Sequence, residues 1–134
     1  MVKAIIFDFF GVLAAEGTPN AELLSYLHSE LKSKYKLGII SNAASDWVNG
    51  VLAEDDVKLF DDITVSYKAG VAKPDPEIYS IALKQLGVKA AESVFIDDIE
   101  AYCEAARKLG MHAVHYQDFS QMKNELEVAL NQSA

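Results

Sequence analysis

Val2-Lys3-Ala4-Ile5-Ile6-Phe7-Asp8-Phe9-Phe10-Gly11-Val12-Leu13 is the stretch that decides the fold. A run dense in apolar and β-branched residues that stops on one carboxylate and then meets a glycine reads as a buried strand, with Asp8 at its C-terminal end. In parallel α/β sheets ligands bind beyond the carboxyl ends of the strands, so an acid there is poised for chemistry. Working outward, Leu37-Gly38-Ile39-Ile40-Ser41-Asn42 is a second buried strand ending in polar residues, and Ile63-Thr64-Val65-Ser66 is a third, shorter one. Ser93-Val94-Phe95-Ile96 forms a fourth that runs into Asp97-Asp98, and Ala113-Val114-His115-Tyr116 a fifth.

Helical patterns lie between these strands. Thr18-Pro19 reads as an N-cap followed by proline at the first helical position, with Leu24, Leu27 and Leu31 then on one face. Trp47, Val48, Val51 and Leu52 suit a helix after the second strand, and Tyr67 to Pro74 reads as a loop. Asp75-Pro76 opens a helix that Gly87 ends, and Ile99, Tyr102, Ala106 and Leu109 mark a stripe closed by Gly110. Asp118 with Gln121 three residues later has the pattern of a capping box before a last helix carrying Met122, Leu126 and Leu130. The tail Asn131-Gln132-Ser133-Ala134 is expected to fray.

Five short apolar strands alternating with helices imply an α/β fold, a parallel sheet covered on both faces by right-handed crossovers. The 134 residues, 51% of them apolar, fit a single domain over 1–134 whose core closes without disulfides or a structural metal. In this layout Asp8, Ser41 with Asn42, and Asp97 with Asp98 fall at one edge of the sheet, and Lys73 lies in a loop leaving that edge. The net charge of −8 argues against a nucleic-acid partner, which needs a basic footprint. Cys103 is the only cysteine and sits in a helix interior, so no disulfide framework or cysteine metal site can be built. The short apolar run at the N-terminus, broken by Asp8, reads as a strand of a soluble, cytoplasmic protein without membrane contact. His28, His112 and His115 read as surface or strand histidines with no catalytic part.

Four of these segments carry a family resemblance. Phe7-Asp8-Phe9-Phe10-Gly11-Val12-Leu13, Ile39-Ile40-Ser41-Asn42, Lys73-Pro74-Asp75-Pro76-Glu77-Ile78-Tyr79 and Val94-Phe95-Ile96-Asp97-Asp98 resemble, in order, motifs I to IV of the haloacid dehalogenase-like superfamily of hydrolases. Ala105-Ala106-Arg107-Lys108-Leu109-Gly110-Met111 extends the likeness, which covers essentially the whole chain. The resemblance implies a Rossmann-like, doubly wound five-stranded sheet of order 3-2-1-4-5, with the site where strands 1 and 4 diverge. It implies that Asp8 attacks phosphorus to give an aspartyl-phosphate and that Lys73 supplies positive charge to the transferring group. It further implies that Ser41 and the Asn42 amide hold a phosphoryl oxygen. Mg²⁺ would be bound by Asp8, the backbone carbonyl of Phe10, Asp97 and Asp98. These roles suit the chemistry: covalent catalysis splits one hard displacement into two, and Mg²⁺ prefers hard oxygen ligands.

Two departures from the family pattern shape the expectation. In the phosphatases of this superfamily, the position two residues after the nucleophile is an aspartate that protonates the leaving group and later activates water. Here it is Phe10, which cannot transfer a proton, and loss of such a group typically costs roughly 10²- to 10⁴-fold in rate. Acyl and aryl phosphates, whose leaving groups need little protonation, would suffer least. The second departure is the absence of a substantial cap: residues 14 to 18 alone separate Leu13 from the helix expected at Pro19. An open site fits either a phosphorylated small molecule, a bulky phosphorylated substrate that covers the site itself, or a partner chain or second copy acting as lid. Glu16 and Gly17 lie on the short remaining loop, Trp47 packs in the core or at the mouth, and Tyr102 replaces an asparagine common in the family. A hydrolytic dehalogenase, whose nucleophile is also followed two residues later by an aromatic, and a non-catalytic descendant that binds a phosphorylated ligand are the alternatives. Asp97 and Asp98 could also simply cap the helix that follows.

Overall fold

The computed structural model describes residues 1–132. The chain runs through β1 (Ala4–Phe7), a small hairpin of β2 (Ala14–Ala15) and β3 (Thr18–Pro19), and helix α1 (Ala21–Tyr26), which continues as a π-helical turn over Leu27–Leu31. Then follow β4 (Lys36–Ser41), α2 (Trp47–Val51), α3 (Glu54–Val57), β5 (Asp62–Val65), α4 (Ser66–Ala69) and α5 (Pro76–Leu86). A 3₁₀ turn over Ala90–Glu92 leads into β6 (Ser93–Asp97), α6 (Glu100–Lys108), β7 (His112–His115) and α7 (Phe119–Gln132).

The large sheet has the order β5-β4-β1-β6-β7, with every pairing parallel. This is the 3-2-1-4-5 arrangement that the family resemblance implies, with β1 at the centre. Its continuous apolar run is explained by burial on both faces. Ile5 and Phe7 point into one core with Leu23, Leu27 and Leu31 and with Met122 and Leu126 of α7. Ala4 and Ile6 point into the other, against Ile78, Tyr79, Ala82 and Leu86 of α5 and Ala106 of α6. Register then decides where the polar residues go. Phe7 pairs with Ile39 on one side and Ile96 on the other, so the next residue along β1, Asp8, emerges beside the ends of β4 and β6.

The caps of α5 and α7 form as read. Asp75 accepts from the Glu77 amide at 2.9 Å, and Asp118 and Gln121 hydrogen-bond reciprocally to each other's backbone N–H. Gly87 ends α5 at a φ of 72°. Cys103 is buried in α6, a small apolar group.

The first helix does not start at Pro19. Thr18 and Pro19 pair with Ala15 and Ala14 instead, and both residues of the connecting turn have positive φ, 53° at Glu16 and 77° at Gly17. Such a pair is what a two-residue type I′ hairpin turn requires. The helix begins two residues later because Asn20 is the better cap: its carboxamide oxygen accepts from the Leu23 N–H at 3.2 Å. Its NH₂ group donates to the Val12 carbonyl at 2.9 Å and to the Tyr116 hydroxyl at 3.0 Å, tying hairpin, helix and sheet together.

Two other local readings shift. Ser66 leaves the third strand to open α4, because its hydroxyl accepts from the Ala43 N–H and donates to the Ala43 carbonyl. Part of the loop expected at Tyr67 to Pro74 is therefore helical. Asn131 and Gln132 belong to α7 and do not fray, whereas the same expectation for Ser133 and Ala134 lies outside the described residues. Among the described residues no helix is long and apolar enough to cross a membrane.

Asn20→Ala removes a helix cap and two tertiary hydrogen bonds together, and is expected to cost about 1–2 kcal/mol in urea unfolding at unchanged m-value. An Asn20→Asp variant keeps the cap oxygen and should recover part of that loss.

Candidate active site

Asp8 leaves β1 with its N–H donating to the Ile96 carbonyl at 2.8 Å, which continues the sheet one residue and places the carboxylate beside Asp97. The chain then turns sharply. The N–H groups of Leu13 and Ala14 donate to the Phe9 carbonyl at 2.9 and 3.0 Å. Gly11 has a φ of 89°, and a Cβ built there would lie 2.2 Å from Asp98 Oδ2. Only glycine lets this turn close against the Asp98 carboxylate.

Asp97 ends β6 fully buried, while Asp98 is exposed. Asp97 divides its two oxygens between tasks. Oδ1 accepts from the Ile99 N–H at 2.9 Å, a local turn bond; α6 itself has Ile99 at its N-cap and no side-chain cap, so neither acid caps it as the alternative reading had it. Oδ2 accepts from Lys73 Nζ at 2.7 Å, and the same ammonium donates to Asp8 Oδ1 at 2.8 Å. Lys73 is itself buried, with the rings of Tyr102 and Phe95 centred 5.2 and 5.5 Å from its nitrogen. Aromatic faces stabilise a desolvated cation, so the four groups define one position for it.

Asn42 keeps the lysine loop in place. Its carboxamide oxygen accepts from the Lys73 N–H at 2.8 Å, and its NH₂ donates to the Lys73 carbonyl at 3.0 Å and more weakly to the Tyr102 hydroxyl at 3.4 Å. Tyr102 is held in turn by a 2.8 Å bond from the Tyr79 hydroxyl to its carbonyl. The side chain of Asn42 is thus committed to positioning Lys73. Ser41 differs: its hydroxyl is buried and, among the described residues, has no hydrogen-bond partner. A buried polar atom left unsatisfied is costly and invites a ligand.

The electrostatics are unbalanced. Oxygens of Asp8, Asp97 and Asp98 all lie within 4.8 Å of one another, and Lys73 is the one ammonium that bridges the two buried members. Three carboxylates against one ammonium leave an excess of two negative charges in a largely buried place. The Asp8 carboxyl responds by rising from its ordinary range to about 7, mainly through burial, with Lys73 opposing and Asp97 reinforcing the rise. Asp97 is also raised by burial, against the pull of Lys73. A divalent cation held by hard oxygen ligands would match both the spacing and the surplus charge.

Three contributors escaped the sequence reading. Tyr79 and Phe95 support the lysine, and nothing in their own segments marks them as more than core residues. His115, a strand histidine as read, has Nε2 2.9 Å from the Asp98 carbonyl and Nδ1 3.1 Å from the Glu100 carboxylate, which also pairs with Arg107, contacts its own segment does not announce. The pairing of β6 with β7 brings it there across 17 residues. Trp47 is 50% exposed at the start of α2 and belongs to the rim, not the core; it stands edge-on to Phe10, which is 40% exposed, at a ring distance of 6.5 Å.

Residues 16–116 match the model of the haloacid dehalogenase-like hydrolases, and the chain belongs to that family. It is 30% identical over 129 residues to a glyceraldehyde 3-phosphate phosphatase of Methanocaldococcus jannaschii, covering 85% of this chain and 56% of that protein. A phosphatase of Mycobacterium tuberculosis is 32% identical over 104 residues, covering 74% of this chain and 46% of that one. The chain therefore spans about half the length of these two curated relatives. A HAD family enzyme of Bacteroides thetaiotaomicron, solved with magnesium and inorganic phosphate, shares the fold at a TM-score of 0.74 and 20% identity, over 90% of this chain and 98% of that one.

The raised Asp8 carboxyl has a thermodynamic consequence. The metal-free folded protein holds a proton on Asp8 up to about pH 7 that the unfolded chain releases near its ordinary pKa of about 4, so this group's stabilisation fades as pH rises through that window. The melting temperature of the metal-free protein is expected to fall more steeply from pH 4 to 7 than that of Asp8→Asn, as read by calorimetry on both. Parallel curves would show that Asp8 titrates normally.

Proposed function

We infer that this domain is a Mg²⁺-dependent phosphohydrolase acting through an aspartyl-phosphate on Asp8. The observation that carries the reading is Lys73 clamped between Asp8 and Asp97, with Asp98 close enough to complete an oxygen site. Asp8, Asp97, Asp98 and the backbone carbonyl of Phe10 are the residues that would hold the metal. The ion, when bound, screens the repulsion between the nucleophile and an anionic phosphoryl group.

The chain's own residues do the rest. Lys73 fixes the rotation of the Asp8 carboxylate and presents positive charge to the transferring group. The unpartnered Ser41 hydroxyl donates to a phosphoryl oxygen, with the backbone N–H of Asn42 beside it. An Asp8 oxygen bonds to phosphorus while the ester P–O bond breaks and its electron pair leaves with the alcohol oxygen. Water then attacks the same phosphorus, releasing inorganic phosphate and restoring Asp8. Phe10 gives the departing oxygen no proton, which favours leaving groups that are stable as anions. The glyceraldehyde 3-phosphate phosphatase and the magnesium and phosphate complex of the Bacteroides enzyme support the same class of chemistry. On this reading the substrate itself or a partner chain serves as cover, and we place the domain in the cytoplasm.

Release of phosphate from an aryl phosphate should require Mg²⁺, stop with EDTA and be abolished by Asp8→Asn. Halide release from a haloacid that survives EDTA would replace this reading with the dehalogenase one, and metal-dependent phosphate binding without turnover would replace it with the non-catalytic one. Restoring the missing proton carrier with Phe10→Asp is expected to raise kcat on alkyl phosphates, toward the roughly 10²- to 10⁴-fold that such a group supplies, with little gain on aryl phosphates. Equal or lower alkyl phosphatase activity in a folded variant would contradict the assigned defect.

A further inference from the structure

Six large hydrophobic side chains are exposed among the described residues, and four of them follow the C-terminal ends of different strands of the sheet. Phe10 follows β1, Trp47 follows β4, Tyr67 follows β5 and Ile99 follows β6. The apolar surface of this acidic protein is thus concentrated at the edge where Asp8 and Asp97 emerge. Phe10 and Trp47 are in edge-to-face contact, with ring planes 69° apart, and Phe10 is braced from behind by Phe9 at 5.0 Å and 75°. Phe10 is separated from the nucleophile by one residue and is followed by Gly11, which abuts Asp98. Of the four exposed side chains at this edge, Phe10 and Trp47 form a ring pair, and one of them lies two residues from the nucleophile.

The phosphohydrolase reading points the same way. The position that would protonate a leaving group carries a phenyl ring, so the departing oxygen must be stable as an anion. A phenolate satisfies that need and also brings an aromatic face for Phe10 and Trp47. An acyl phosphate satisfies only the first condition, and an alkyl phosphate neither.

We propose that Phe10 and Trp47 form a specificity-determining platform for the leaving group, and that the substrates of this site are small aryl phosphate monoesters. The proposal rests on the phosphohydrolase reading and adds the substrate class. The Asp8 oxygen bonds to phosphorus, the P–O(aryl) bond breaks, and its electron pair leaves on the phenolate, which takes a proton from water once released. Ring contacts of this kind, together with the area they bury, are enough for a preference of about tenfold.

Trp47 is the only tryptophan in the chain, so the platform reports on itself. In the Asp8→Asn protein with Mg²⁺, titration with phenyl phosphate should shift or quench the Trp47 fluorescence, whereas acetyl phosphate at equal saturation should not. In the wild type, the ratio of kcat/KM for naphthyl phosphate to that for acetyl phosphate should drop about tenfold on Trp47→Ala, mostly through KM, and recover with Trp47→Phe. Hydrolysis of both compounds with an unchanged ratio, together with silent fluorescence, would overturn the platform and leave the phosphohydrolase standing. Failure to hydrolyse either compound with Mg²⁺ would overturn both.

Discussion

Lys73 brings a buried ammonium to 2.8 Å from Asp8 and 2.7 Å from Asp97, and without it two carboxylates at neighbouring strand ends would face each other away from water. Removing one partner from a buried ion pair typically costs about 3–5 kcal/mol, because the remaining charge is stranded. The rest of the site is built to keep this cation in position. Asn42 grips its backbone from β4, Phe95 and Tyr102 flank its nitrogen from β6 and α6, and Tyr79 on α5 fixes Tyr102. Elements from both sides of the central strand therefore meet on one side chain.

The same arrangement gives a protein of net charge −8 one buried cation beside Asp8, flanked by aromatic rings. It does not fully neutralise the cluster. The surplus negative charge is expressed in the raised carboxyls of Asp8 and Asp97, with Asp98 close beside them. Around this polar centre the rim is aromatic, with Phe10 and Trp47 both exposed and edge-on to each other. The site is thus charged at its base and aromatic at its rim.

Much of this was legible in the chain. The strand run ending at Asp8, the polar ends at Ser41 and Asp97, and the capped helices were readable because apolar periodicity and cap residues act over only a few positions. The misreadings have a common origin. Thr18-Pro19 carries a sound local helix-start signal, yet it pairs with Ala14-Ala15, and the start moves to Asn20 because Val12 and Tyr116 offer that side chain partners from distant segments. Ser66 leaves its strand for the same kind of reason, a reciprocal bond with Ala43. Asn42 keeps its expected place but spends its side chain on the lysine loop, which strand-end position alone does not reveal.

By itself the sequence determined the α/β alternation, the family and the set of polar residues at one sheet edge, since each depends on residue type and short-range spacing. Tertiary structure alone decided that Lys73 bridges Asp8 and Asp97, that Gly11 admits the Asp98 carboxylate, that His115 reaches the Asp98 carbonyl and that Phe10 and Trp47 meet in the open. Those contacts join residues separated by tens of positions, and their distances follow from strand register and side-chain packing, which no local pattern encodes.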